Sequence, residues 1–213
     1  MPKRILCYGD SNTWGAVPAS PDRHPDEVRW TGVMARELGS GFTVIEEGYN
    51  GRTIAFDDPV EDRISGVSYL RACLDSQSPL DLVIFMLGTN DLKTRFNMGP
   101  VTIASQLDRL LDVLAIARMA GEKPQVLIAS PPHMSPAYKD MPAFSDMMGP
   151  DAVERSRGFD AAYEQFARDR GLPYFRTSDY AAPAEKGGDG IHLGPDAHAR
   201  LGRAMAAAVK KLV

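Results

Sequence analysis

Apolar positions along the chain fall into short runs, separated by longer stretches in which they recur every three or four residues. The runs at 4–8, 42–46, 82–87 and 125–129 hold mostly β-branched or bulky residues and are bounded by Gly, Asp, Ser or Pro. A run without apolar–polar alternation predicts a strand covered on both faces, as in a parallel sheet. Tyr174-Phe175 reads as a weaker fifth strand. Between these runs the three-to-four spacing predicts helices over 27–38, 68–77, 101–119, 151–170 and 195–212; in the third, Ile103, Leu107, Leu110, Leu111 and Leu114 form one stripe. Strand followed by helix from end to end means an open sheet between two helical layers. Right-handed crossovers then favour a flavodoxin-like, three-layer α/β/α sandwich on a five-stranded parallel sheet. The length suits one domain over residues 1–213.

Two segments break the alternation. Residues 16–25 are rich in Pro and polar residues, and 131–150 combine several prolines with Met134, Met141, Met147, Met148, Tyr138 and Phe144. Loops this long in a compact domain either serve the function, contact a partner or close over the core.

Composition narrows the reading. With 24 Lys+Arg against 28 Asp+Glu the formal charge is −4, so nothing recruits a phosphate backbone and no nucleic-acid partner is expected. A hydrophobic content of 44% supports a core without disulfides or a structural metal. Cys7 and Cys73 lie in a predicted strand and a predicted helix and form no Cys-x-x-Cys, so a disulfide framework is not expected. The first apolar run is short for a signal-peptide core, and no stretch approaches the ~20 apolar residues of a membrane span. A cytoplasmic protein with no membrane partner is the expectation.

In an open α/β sheet, ligands bind beyond the carboxyl ends of the strands. Polar clusters stand there repeatedly: Gly9-Asp10-Ser11-Asn12-Thr13-Trp14-Gly15, Gly48-Tyr49-Asn50-Gly51-Arg52 and Gly88-Thr89-Asn90-Asp91, with Gly188-Asp189-Gly190-Ile191-His192 ahead of the last helix. Ser11 is a candidate nucleophile, although position alone suits a helix cap better. Its hydroxyl needs a base. His192 follows Asp189 by three residues, close enough for one loop to hold a carboxylate against the imidazole. Acyl transfer also needs N–H donors for the developing oxyanion, for which the Ser11 and Gly51 amides and the Asn90 side chain are candidates. Among the other histidines, His198 is placed on the outer face of the last helix, and His24 and His133 have no evident role. A phosphate-binding loop is disfavoured because no G-x-x-x-x-G-K-[ST] or G-x-G-x-x-G occurs, and a zinc hydrolase because no H-E-x-x-H occurs.

Taken in order, Gly9-Asp10-Ser11-Asn12, Gly51, Gly88-Thr89-Asn90-Asp91 and Asp189-Gly190-Ile191-His192 resemble the four motifs of the SGNH (GDSL-type) hydrolases. Val28-Arg29-Trp30-Thr31-Gly32, Val44-Ile45-Glu46-Glu47-Gly48 and Leu80-Asp81-Leu82-Val83-Ile84 look like the bacterial arylesterase and acyltransferase branch. The resemblance implies a serine esterase acting on small-acyl esters, with Ser11 as nucleophile, His192 as base, Asp189 as its orienting carboxylate, and Ser11, Gly51 and Asn90 as oxyanion donors. It implies no cofactor and no metal, a homo-oligomer, and acyl transfer to alcohols beside hydrolysis. Asn12 replaces the family's usual leucine, which bears on substrate preference. Trp14, Lys93 and Ile191 are nominated as pocket walls. A carbohydrate O-acetyl esterase and an inactive hydrolase fold kept for interaction are the alternatives.

Overall fold

The computed structural model describes residues 1–184 and 186–213. Strands β1 (Lys3–Gly9), β2 (Phe42–Gly48), β3 (Leu82–Met86), β4 (Gln125–Ala129) and β5 (Tyr174–Phe175) form one parallel sheet in the order β2-β1-β3-β4-β5. Helices α1 (Ser11–Trp14), α2 (Trp30–Leu38), α3 (Gly66–Gln77), α4 (Pro100–Ser105), α5 (Leu107–Ile116), α6 (Pro142–Met148), α7 (Ala152–Arg157), α8 (Phe159–Asp169) and α9 (Pro195–Val209) surround it. This is the expected three-layer sandwich. Side chains of β1 alternate between its two cores: Leu6 and Tyr8 join Leu70 of α3, Leu110 of α5 and Phe159 of α8, while Ile5 and Cys7 join Trp30 of α2 and Leu201 of α9. Each such side chain, fully removed from water, contributes roughly 1.5–3 kcal/mol. Cys7 and Cys73 are free and belong to opposite cores.

The chain steps from β1 to β2 on one side and then crosses to β3 on the other. At such a reversal the connections diverge and leave a crevice at the strands' carboxyl ends. The ends of β1 and β3 therefore mark where a site can open.

Several boundaries differ from the sequence expectation. Strand β2 is only half-buried and is an edge; Glu46 spends its exposed side gripping the Arg29 guanidinium, with Nε 2.9 Å from Oε2 and Nη2 2.7 Å from Oε1. That grip holds Arg29 extended, so α2 begins at Trp30 and not at 27. The helix expected over 101–119 is divided at Gln106 and stops at Ile116, where Lys123 Nζ donates to the carbonyls of Leu114 and Ala115 at 2.8 and 2.7 Å. The helix expected over 151–170 is divided at Gly158, where a Cβ would come within 2.6 Å of Pro100 Cγ.

His198 is not on the outer face of α9. It is fully buried, accepts the Trp30 N–H at Nδ1 (3.2 Å) and meets the His24 ring edge-on at 5.3 Å. Burial pushes its pKa down to about 3, so the ring stays neutral. His133 also has a partner, the Asp160 carboxylate 2.8 Å from its Nε2. Segment 131–150 contains a 3-10 turn (Pro136–Asp140) and α6, and Met134 and Met148 are buried, so it offers no continuous apolar face. Exposed apolar side chains gather instead at Phe56, Val60 and Ile64. Among the described residues no helix is long and apolar enough to cross a membrane.

Candidate active site

Chain leaving β1 turns at once into α1. Asp10 accepts the Asn12 N–H at 3.0 Å and starts the helix, and Gly15, in the left-handed region at φ 88°, ends it. Ser11 is thereby fixed as the first helical residue, where its N–H has no intrahelical partner. Its Oγ lies 2.9 Å from His192 Nε2, although 181 residues separate them. On the other side of the ring, Nδ1 lies 2.6 Å from Asp189 Oδ2.

The Asp189–His192 turn holds itself. Asp189 Oδ1 accepts the backbone N–H of Ile191 (2.9 Å) and of His192 (2.8 Å), and Oδ2 also accepts the Ala19 N–H (2.9 Å). Gly190 sits at φ 72°, where a Cβ would meet Tyr138 N at 2.3 Å, so only glycine allows the close turn. Burial opposes ionisation of Asp189, but the His192 ring and these N–H groups outweigh it and hold the carboxyl well below the usual range. An ionised carboxylate against Nδ1 keeps that proton in place, presents Nε2 to Ser11 as an acceptor, and stabilises the imidazolium formed on proton transfer.

The proposed oxyanion donors come from three strand ends. Gly51, after β2, takes φ 80°, and a Cβ there would press on Arg63 Cγ at 2.9 Å. Arg52 anchors this turn: its guanidinium carbon is 4.3 Å from the Tyr8 ring centroid, and Nη1 donates to the Gly9 carbonyl at 3.0 Å. Asn90 follows β3 and donates one amide hydrogen to the Arg52 carbonyl at 3.1 Å, which leaves the second to face the cleft. Ser11, Gly51, Asn90 and His192 all line the same cavity of about 190 Å³. The arrangement sets a hydroxyl, an imidazole and a carboxylate in line, with Gly51 and Asn90 lining the same cavity, groups of the kinds that acyl transfer uses.

All three nominated wall residues, Trp14, Lys93 and Ile191, line this cavity. Lys93 is more than a wall. Its buried ammonium lies 2.9 Å from Asp58 Oδ2 and 2.6 Å from Glu61 Oε2, and Arg95 adds contacts of 3.1 Å to both acids. This network ties segment 55–64 down beside the cleft, which brings Glu61 and Arg63 to its lining. Phe144, Met147 and Met148 of α6 form an apolar side, with the Phe144 ring edge-on to His192 at 6.1 Å. The apolar side thus comes from the Met-rich segment that the sequence singled out, whereas Glu61 and Arg63 carry no local signal that places them at the cleft. Asn12, expected to influence substrate preference, is absent from the lining. Its Nδ2 donates to the Ile191 carbonyl (3.2 Å), and its Oδ1 accepts the Leu193 N–H (3.0 Å).

The fold and the hydroxyl–imidazole–carboxylate line define a serine-hydrolase class of α/β protein. The model of the GDSL-like lipase/acylhydrolase family matches residues 7–200, and the chain belongs to that family. Among solved structures, the aryl esterase of M. smegmatis is 38% identical with a TM-score of 0.92, over 99% of this chain and 100% of that one. Est24, a carbohydrate acetylesterase from Sinorhizobium meliloti, is 39% identical with a TM-score of 0.90 over the same shares. A carbohydrate acetylesterase family member from Sinorhizobium meliloti is 33% identical with a TM-score of 0.90, over 99% of this chain and 98% of that one. No curated protein matches the chain. Family membership and these likenesses make the chain a carboxylic ester hydrolase.

Proposed function

We propose that Ser11 attacks the acyl carbonyl while His192 Nε2 takes its proton, that the oxyanion is received by the Ser11 and Gly51 amides and Asn90 Nδ2, and that the imidazolium returns the proton to the leaving alcohol. Water, deprotonated by the same ring, then releases the acid from the acyl-enzyme. The observation that carries this reading is the continuous line from Ser11 Oγ through His192 to Asp189, at 2.9 and 2.6 Å. A fluorophosphonate probe tests it: one label on Ser11, with parallel loss of p-nitrophenyl acetate turnover, is the expected result. Label on another serine overturns it.

Short acyl groups fit best, because about 190 Å³ is below the roughly 300–1,000 Å³ of pockets that engulf drug-sized ligands, and Phe144, Met147 and Met148 limit it. A p-nitrophenyl ester series should show kcat/KM falling beyond a few acyl carbons, and a rise through octanoate contradicts this. The same apolar side shields the acyl-enzyme from water and supports transfer to an added alcohol, measured as new ester against free acid.

A second reading, hydrolysis of acetyl groups on sugars, is favoured by the polar lining residues Asn50, Glu61 and Arg63, which carry donors and acceptors for hydroxyls. Acetate release from an acetylated monosaccharide, compared with p-nitrophenyl acetate, separates the two. Assembly into a homo-oligomer keeps the family resemblance as its support, since Met134 and Met148 are buried; sedimentation measures it.

A further inference from the structure

Asn12 is the residue beside the nucleophile, yet its side chain faces the histidine loop and not the cleft. It is fully buried, and its amide pairs with two backbone groups on either side of His192: the Ile191 carbonyl at 3.2 Å and the Leu193 N–H at 3.0 Å. Its own backbone N–H is held by Asp10 Oδ1 at 3.0 Å. The remaining N–H groups of this stretch, those of Ile191 and His192, go to Asp189 Oδ1. Between them, Asn12 and Asp189 therefore fix the peptide units before and after the histidine Cα, leaving the imidazole only its own two side-chain torsions, which Asp189 and Ser11 set in turn.

We propose that Asn12 is a positioning residue: its side-chain amide clamps the backbone on both sides of His192 and sets the distance from Nε2 to the hydroxyl of its neighbour, Ser11. The clamp links the two halves of the reacting pair directly, since it belongs to the residue covalently next to the nucleophile. An aliphatic side chain at position 12 can fill the same space, but it leaves a buried N–H and a buried C=O without partners. The loop must then shift to satisfy them, and a displacement of about 1 Å at a reacting group is enough to cost on the order of 10²-fold.

The inference rests on Ser11 and His192 being nucleophile and base, so the test includes Ser11→Ala. Asn12→Leu and Asn12→Ala are measured with p-nitrophenyl acetate, alongside circular dichroism and the low-field proton resonance of the His192 Nδ1–H. The expected result is a folded protein with kcat reduced by roughly 10–10²-fold, KM within about twofold, and the resonance shifted or broadened by exchange. Unchanged kcat with an unchanged resonance overturns the proposal. So does a loss confined to KM, which makes Asn12 a substrate contact, and so does failure of both variants to fold, which makes it a core strut. Turnover surviving Ser11→Ala removes the assignment of the nucleophile instead, and the resonance still reads the clamp.

Discussion

The reacting groups and the walls around them are held in different ways. Ser11 and His192 each sit in a short-range turn, where Asp10 caps the helix that begins at Ser11 and Asp189 binds the N–H groups two and three residues ahead of it, and the single Asn12 side chain joins the two turns. The wall at 55–64 is fixed at long range, by Lys93 and Arg95 reaching to Asp58 and Glu61, and it keeps Phe56, Val60 and Ile64 exposed. Turn geometry is specified by a few adjacent residues and leaves little freedom. Long charged side chains hold a segment only while every partner is present. Changes in the first group should therefore appear in the chemical step, and changes in the second in stability and substrate range.

The largest effects are expected where the turns carry reacting atoms. Ser11→Ala should reduce kcat by on the order of 10⁶-fold, the scale seen when a serine hydrolase loses its nucleophile. Asp189→Asn should cost on the order of 10⁴-fold by favouring the wrong tautomer. Melting curves should show both variants folded. A loss below about tenfold for Asp189→Asn would assign orientation of the ring elsewhere. Next comes Asn90→Ala, with an expected fall of roughly 10²–10³-fold in kcat, because one oxyanion donor is removed; a near-normal rate would reduce Asn90 to a turn residue.

Across the comparison, Lys93→Met should act chiefly on stability. It leaves Asp58 as a buried acid with Arg95 as its remaining cation, at a cost of about 3 kcal/mol, the lower part of the range for breaking a buried pair. Thermal unfolding checks this. A variant with unchanged Tm but a collapse in kcat would place Lys93 with the reacting groups and dissolve the distinction.

A pH dependence of stability leaves the chemical step untouched. Burial raises Asp10 to a pKa of about 6 and Asp91 to about 7. Because the unfolded carboxyls titrate near 4, the folded state holds the extra protons, and these two groups favour folding at low pH and lose that contribution as pH rises from about 4 through 7. His198 acts in the opposite sense: its lowered pKa adds stability as pH rises from about 3 to 6.5. The difference between Asp91→Asn and the parent isolates one term. The variant's unfolding free energy relative to the parent should climb as pH rises from about 4 to 7, with a slope of up to roughly 1.4 kcal/mol per pH unit. A flat difference would show that Asp91 is already ionised at the lower pH.

The same division decides what could be read from the sequence. Apolar runs located four strands, with Tyr174-Phe175 a weaker fifth, and the order of Ser11, Gly51, Asn90 and His192 along the chain indicated a shared site, because each stands at a turn whose residues carry the local geometry. Helix ends were less legible. Those at 116 and 158 involve Lys123 reaching the carbonyls of α5 and Pro100 approaching Gly158, contacts with no local signature. His198 was misplaced because its spacing along the helix does not reveal that Trp30 and His24 cover it. Nothing adjacent to Lys93 in the sequence shows that Asp58 and Glu61 fold over it. Asn12 stood within a recognised motif, but its role depends on the backbone of Ile191 and Leu193, far away in the chain.

The most direct test of the central claim is a crystal structure of the enzyme phosphonylated at its reactive serine. The account predicts phosphorus bonded to Ser11 Oγ, with the phosphoryl oxygen about 2.7–3.1 Å from the Ser11 N, Gly51 N and Asn90 Nδ2 donors. A phosphoryl oxygen turned to solvent or bound by a different set of groups would contradict it.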